Sequence, residues 1–165
     1  MSATLLYRIA AVLFVLFAAG HTAGFLLFRP PSPEGAAVLD AMNNVHFGAH
    51  GAAYTYGGFY RGFGLFVTGY MLFSAVLAWQ LGAMARARGA AGAAAGEGTG
   101  DGTMASARRP AATGMLAAVG WALCTVQVAD VVLGGMYFSV AQMAFPAVLA
   151  LCLGGAAWRV QTGRG

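Results

Sequence analysis

Four apolar runs, Leu5–Phe28, Gly58–Leu81, Thr113–Gly135 and Val140–Trp158, fill more than half of this chain and are nearly free of charge. A bilayer core holds no water to bond backbone N–H and C=O groups, so only helices and closed barrels cross it. A crossing helix needs roughly 20 apolar residues to span about 30 Å of hydrocarbon. Each run has about that length. The chain therefore reads as all-α and integral to the membrane: an antiparallel four-helix transmembrane bundle forming a single domain over 1–165.

Charge supports this and narrows the partners. Only 8% of residues are charged, and mean hydropathy is +0.70, whereas a soluble domain carries roughly 25% charged residues. The net charge of +4 is too small and too scattered for a nucleic-acid footprint. Membrane lipid is the expected partner, with a homo-oligomer or a larger membrane complex as further options. Cys124 and Cys152 fall inside spans at different depths, which argues for buried thiols over a disulfide.

Arginine placement sets the expected topology. Arg86, Arg88, Arg108 and Arg109 flank the loop between spans two and three, Arg8 opens span one, and Arg159 and Arg164 follow span four. The loop between spans one and two carries Arg29 and Arg61, and that between spans three and four has none. The positive-inside rule then places both termini and the 82–112 loop in the cytoplasm, with the spans in the inner (plasma) membrane. Trp79 and Trp158 fall at the cytoplasmic ends, while Tyr54, Tyr56, Tyr60 and Tyr137 cluster at the other face, as interfacial aromatic belts do.

The two long loops differ in kind. Residues 89–106 are Gly/Ala-rich and low in complexity, predicting a flexible linker over about 86–110. In the other, Pro30 and Pro31 stop span one, and Ser32-Pro33-Glu34 supplies an N-cap, a first-turn proline and an acid at the positive helix end. Val38, Leu39, Met42, Val45, His46 and Ala49 then recur at helical spacing, which predicts a short extracytoplasmic amphipathic helix over about 33–50. Span one has a rival reading as a signal peptide cleaved before His21, leaving an N-terminal histidine that could chelate copper. The apolar run continues through Phe28, which favours the span.

Ionisable groups within spans are expensive and so are candidate functional residues. Here they are His21 and Asp130, with Arg61 near the edge of span two. His21 and Asp130 fall at matched depths in the outer half, Gln127 shares a face with Asp130 at i, i−3, and Gln142 lies early in span four. A polar pocket built from these groups would use Asp130 and His21 as acid or base, with Arg61, Tyr60, Gln127 and Gln142 contacting a ligand. The competing reading is a structural network of the same groups locking the helices together.

His46 and His50 stand at i, i+4, a spacing that suits two imidazoles on one metal ion if the segment is helical. His21 could add a third ligand, with Asp130 as carboxylate or outer-shell support. Haem could use the same histidines, although no two sit on facing spans at matched depth. Gly20-x-x-x-Gly24 and Gly58-x-x-x-Gly62 predict close packing of spans one and two. Pro146 predicts a kink in span four and a freed carbonyl. Phosphate loops, dinucleotide fingerprints, nucleophile elbows and paired-carboxylate motifs are absent from the sequence.

The strings Gly20-His21-Thr22-x-Gly24 and Phe59-Tyr60-x-Gly62-Phe63-Gly64-Leu65 resemble a family of small, uncharacterised bacterial four-span membrane proteins. The resemblance covers the first 80 or so residues and implies architecture without an activity. Relatives of that kind carry a Trp-Asp pair just before the Phe-Tyr, where Tyr56-Gly57-Gly58 stands in this chain. Two functional classes follow from the residues. One is a bundle that binds a hydrophobic or lipid-like molecule, or serves as an accessory subunit of a membrane complex. The other is a small membrane enzyme acting on an isoprenoid, sterol-like or quinone-like substrate.

Overall fold

The computed structural model describes residues 1–49, 52–96, 103–137 and 140–163. Five helices and a small hairpin follow one another: α1 (Ala3–Leu27), α2 (Pro33–Asn44), β1 (His46–Ala49), β2 (Ala52–Thr55), α3 (Tyr56–Gly96), α4 (Thr103–Tyr137) and α5 (Val140–Gln161). The segments Ala3–Leu27, Tyr56–Ala94, Thr113–Met136 and Met143–Gln161 are long and apolar enough to cross a membrane. By length and composition this is a multi-pass membrane protein, helical apart from the β1–β2 hairpin among the described residues. Large apolar side chains such as Phe66 and Leu151 stand out from the protein, about three-quarters exposed, which a lipid surround accommodates and water would not.

Three expectations need correction. Residues 86–96 and 103–110 are helical extensions of α3 and α4, where a flexible linker was expected; residues 97–102 lie outside the described part. Alanine is the best helix former, and the alanines among residues 90–95 carry α3 past its glycines. The amphipathic helix stops at Asn44 and does not reach residue 50. Ser32 caps it as the sequence predicts, accepting from the Gly35 amide at 3.1 Å, with Pro33 and Glu34 in the first turn. At the other end Asn44 turns its amide back on Asp40. The chain then becomes an antiparallel hairpin pairing His46 with Thr55 and Phe47 with Tyr54. Phe47 stacks near Tyr54, Tyr56 and Phe59 at 4.8–6.3 Å between ring centroids. Such cross-strand aromatic pairing favours a sheet over another helical turn.

The third correction concerns glycine. A Cβ on Gly20, Gly24 or Gly62 would meet no atom within 4 Å, so these glycines do not mark the packing seams. With 25 glycines in the chain, small-xxx-small spacings recur on lipid-facing stripes as well as buried ones. The close approaches are elsewhere, and contacts divide the chain into two compact units, taken in turn here.

One unit comprises Met1–Val15 and Phe73–Gly165. Its core is built from Tyr7, Ala10, Phe14, Ala78, Leu116, Leu149, Leu153, Ala156 and Ala157, all 1% exposed or less. Small residues bring the backbones together: a Cβ on Gly82 would lie 3.4 Å from Thr4 and Tyr7, and one on Gly155 would lie 3.5 Å from Leu6. Trp121 reaches Gln161 at 3.2 Å, Cys124 reaches the Ala150 carbonyl at 3.3 Å, and Gly134 adjoins Met143. Residue numbers therefore rise along α4 as they fall along α5. The other unit, Leu16–Leu72, holds the second part of α1, α2, the hairpin and the first part of α3.

A tight seam in this unit is that of Tyr7 with Gly120. Tyr7 is fully buried, its hydroxyl has no hydrogen-bond partner among the described residues, and a Cβ on Gly120 would overlap that oxygen. Gly120→Ala should therefore lower stability by about 1–3 kcal/mol through overpacking. Tyr7→Phe should be neutral or stabilise by about 1 kcal/mol, because it deletes an unsatisfied buried hydroxyl. Thermal unfolding in detergent checks both, and Gly120→Ala should do less harm in the Tyr7→Phe background.

Candidate functional site

In the Leu16–Leu72 unit His21, Thr22, Thr68 and Arg61 are tied to backbone carbonyls or to neighbouring side chains. His21 is half-buried on α1 and its Nε2–H donates to the Gly64 carbonyl at 3.3 Å. A carbonyl can only accept, so this bond leaves Nδ1 as the unprotonated nitrogen of the neutral ring. Phe25 packs on the imidazole at 5.2 Å and on Tyr60 at 6.5 Å. Gly64 is where close approach matters, since an added Cβ would lie 3.0 Å from the Phe25 ring. One turn along, the Thr22 and Thr68 hydroxyls meet at 2.8 Å. Thr22 also donates to the Ala18 carbonyl at 2.8 Å, which leaves Thr68 to donate to Thr22 or to the Gly64 carbonyl. The sequence reading missed this hydroxyl pair, because threonine inside an apolar run carries no distinctive spacing.

Arg61 opens α3 beside α2. Its Nη2 donates to Asn43 Oδ1 at 2.7 Å and its Nε to the Gly57 carbonyl at 3.3 Å. A Cβ on Gly57 would run into the Asn43 amide oxygen and crowd the Met42 carbonyl, so a larger residue there would displace the Arg61 partner. Neither partner of Arg61 is charged, so the guanidinium keeps its full charge available while its orientation is fixed. Tyr60 is exposed beside it.

The metal reading loses its geometric basis at His46. That residue is on β1, and its Nδ1–H donates to the Asn44 carbonyl at 2.8 Å, so the i, i+4 helical face does not exist at this end. His50 lies outside the described residues. Among the described residues no group of three or more His, Cys, Asp or Glu is placed to hold a metal ion.

The second cluster lies on α4. Gln127 is 2% exposed, and its Nε2 donates to Asp130 Oδ2 at 3.1 Å. The i, i+3 spacing puts both side chains on one stripe of the helix. With the carboxylate accepting, the amide presents Nε2 to it and Oε1 points away from Asp130. Gln127 Oε1 is buried without a partner among the described residues. Beside this pair, Cys124, Val128 and Val131 of α4 and Ala147, Ala150 and Leu151 of α5 line an apolar groove of about 400 Å³. Gln127 borders the groove's α4 strip at i, i+3 from Cys124 and i, i+4 from Val131. Gln142 falls on α5, with its side chain outside the described part. His21 and Asp130 belong to different units, each with its own partners. Cys124 and Cys152 are free thiols.

No family model, curated protein or solved structure matches the chain.

The threonine pair gives a direct check on the first cluster. Thr68→Val should lower stability by about 0.5–2 kcal/mol, the range for hydrogen bonds between helices in membranes. Adding Thr22→Val should cost little more, because both partners of the same bond are then gone. Unfolding curves of the four variants in one detergent provide the measurement.

Proposed function

We propose that this protein binds a hydrophobic, lipid-like molecule along the α4–α5 groove, with Gln127 and Asp130 as its polar anchor. The observation that carries the reading is Gln127 Oε1, a buried acceptor without a partner among the described residues, on a helix stripe adjoining the one that lines the apolar groove. An unsatisfied polar group inside a membrane protein is expensive, and a bound molecule that donates to it recovers that energy. The ligand class follows: an apolar body fits the groove, and a hydroxyl or N–H head donates to the Gln127 carbonyl oxygen. Asp130, held by the Gln127 amide, stands ready to take a second donor from the same head.

The arrangement we infer around this site is an antiparallel four-helix bundle in a bacterial inner membrane, both termini cytoplasmic and α2 on the outer face. Arginine placement supports the orientation, and the Gly20–Gly24 and Phe59–Leu65 strings support the bacterial assignment. Docking as an accessory subunit of a membrane complex is compatible with the same apolar surface.

One observation favours an enzyme as the second reading. The Asp130 carboxylate has Gln127 as its one partner among the described residues, leaving Oδ1 free to exchange a proton with an apolar substrate. His21 is the weaker acid–base candidate, since its Nε2–H is committed to the Gly64 carbonyl.

Purification in mild detergent followed by mass spectrometry of the extract should return one enriched apolar species bearing a hydroxyl or amine. Gln127→Leu should lose that species with helix content unchanged. An extract matching bulk membrane lipid for both proteins rejects the binding reading. A folded Asp130→Asn protein that keeps its ligand but lacks turnover supports the enzyme instead.

A further inference from the structure

All three tryptophans of the chain fall at one level of the Met1–Val15 and Phe73–Gly165 unit. Tyr7 touches both Gly82 and Gly120, and Gly120 adjoins Ala157, so these positions of α1, α3, α4 and α5 share a level. Trp121 and Trp158 are the next residues after Gly120 and Ala157, and Trp79 is one turn from Gly82. All three rings are 39–55% exposed. Amphipathic rings gathered at one level mark the headgroup region of a bilayer.

Arg8 is at that level. Its Cγ would lie 3.5 Å from a Cβ on Gly82, and its guanidinium carbon sits 5.0 Å over the Trp79 ring. The tryptophan face orients this cation and leaves its charge unneutralised. Arg8 Nε is buried and has no acceptor among the described residues. Asp130, the one carboxylate among the described residues of this unit, is about 15 Å farther along α4 than Gly120 at 1.5 Å per residue. A cation at headgroup depth without an anionic partner among the described residues attracts an anion.

Arg86 supplies a second cation. It stands two turns after Trp79 on α3, within about 20° of it around the helix axis, and is exposed. Side chains tilt toward the N-terminus of their own helix. Arg86 therefore leans back toward Gly82, the position against which Arg8 packs.

We propose that Arg8, stacked on Trp79, and Arg86 bind the phosphate of an anionic phospholipid in the leaflet on the α1 N-terminal side. Arginine forks match phosphate oxygens in pairs, and the tryptophan level selects a membrane phosphate over a soluble one. This site is separate from the α4–α5 groove and stands or falls independently of it.

The test uses full-length protein in detergent, titrated with phosphatidylglycerol or phosphatidylcholine and read by native mass spectrometry and thermal unfolding. Wild type should retain phosphatidylglycerol at least about tenfold more tightly than phosphatidylcholine, the scale of a charge-assisted bond. Arg8→Gln should abolish that preference and Arg86→Gln should weaken it, while Arg8→Lys keeps part of it. If Arg8→Gln does not fold, the wild-type preference and Arg86→Gln decide the matter. Equal retention of the two lipids by wild type overturns the proposal, as does undiminished preference in the Arg86→Gln variant or in folded Arg8→Gln. Inorganic phosphate at millimolar concentration should not displace the lipid; displacement would assign the site to soluble phosphate.

Discussion

Hydrocarbon offers no hydrogen bonds, and that constraint organises everything polar in this protein. Each polar side chain in a span has to find its partner inside the chain or in a bound molecule. His21 uses a backbone carbonyl, Thr22 and Thr68 use each other and backbone carbonyls, and Cys124 uses the carbonyl of Ala150. These groups are spent on structure. What is left over among the described residues is short: the Tyr7 hydroxyl and Gln127 Oε1 inside the core, Arg8 Nε near the tryptophans, and Arg88 Nη1 in the later part of α3. Of these, Gln127 neighbours the groove-lining stripe of α4, and Arg8 packs on Trp79. The Tyr7 oxygen is hemmed in by Gly120 and Ala157, with no room for a ligand.

Packing follows from the same medium. Lipid is as apolar as leucine, so helices gain little by burying large side chains against one another and associate instead by close backbone approach. This is why alanine dominates the buried set and why Gly82, Gly120 and Gly155 sit at the seams. Large residues such as Phe66 and Leu151 point outward, the reverse of a soluble core. Polar anchoring takes over outside the spans, where Ser32 caps α2 and Arg61 binds it to the start of α3 through Asn43.

Much of this was legible in the residues because length and hydropathy are local properties. Four spans, the Ser32 cap and the Gln127–Asp130 pair all follow from spacing along a single helix. What was not legible depends on which face of a helix meets another. Gly20 and Gly24 have the same spacing as a packing seam yet face open space, whereas Gly64 and Gly120, in less conspicuous strings, take the contacts. His46 reads as helical by period, and the aromatic pairing of Phe47 with Tyr54 and Tyr56 draws the segment into a hairpin instead. The unpaired oxygen of Gln127 has no sequence signature, since an amide four residues from a wall of the groove looks the same whether satisfied or not.

The most direct measurement of the central claim is an experimental structure of the protein in lipid nanodiscs at a resolution that shows bound molecules. The account predicts elongated density along Cys124, Val128, Val131, Ala147, Ala150 and Leu151, ending in a polar atom within hydrogen-bond distance of Gln127 Oε1. Gln127 Oε1 bonded to another side chain of the protein, with the groove closed or filled by a protein helix, would contradict it.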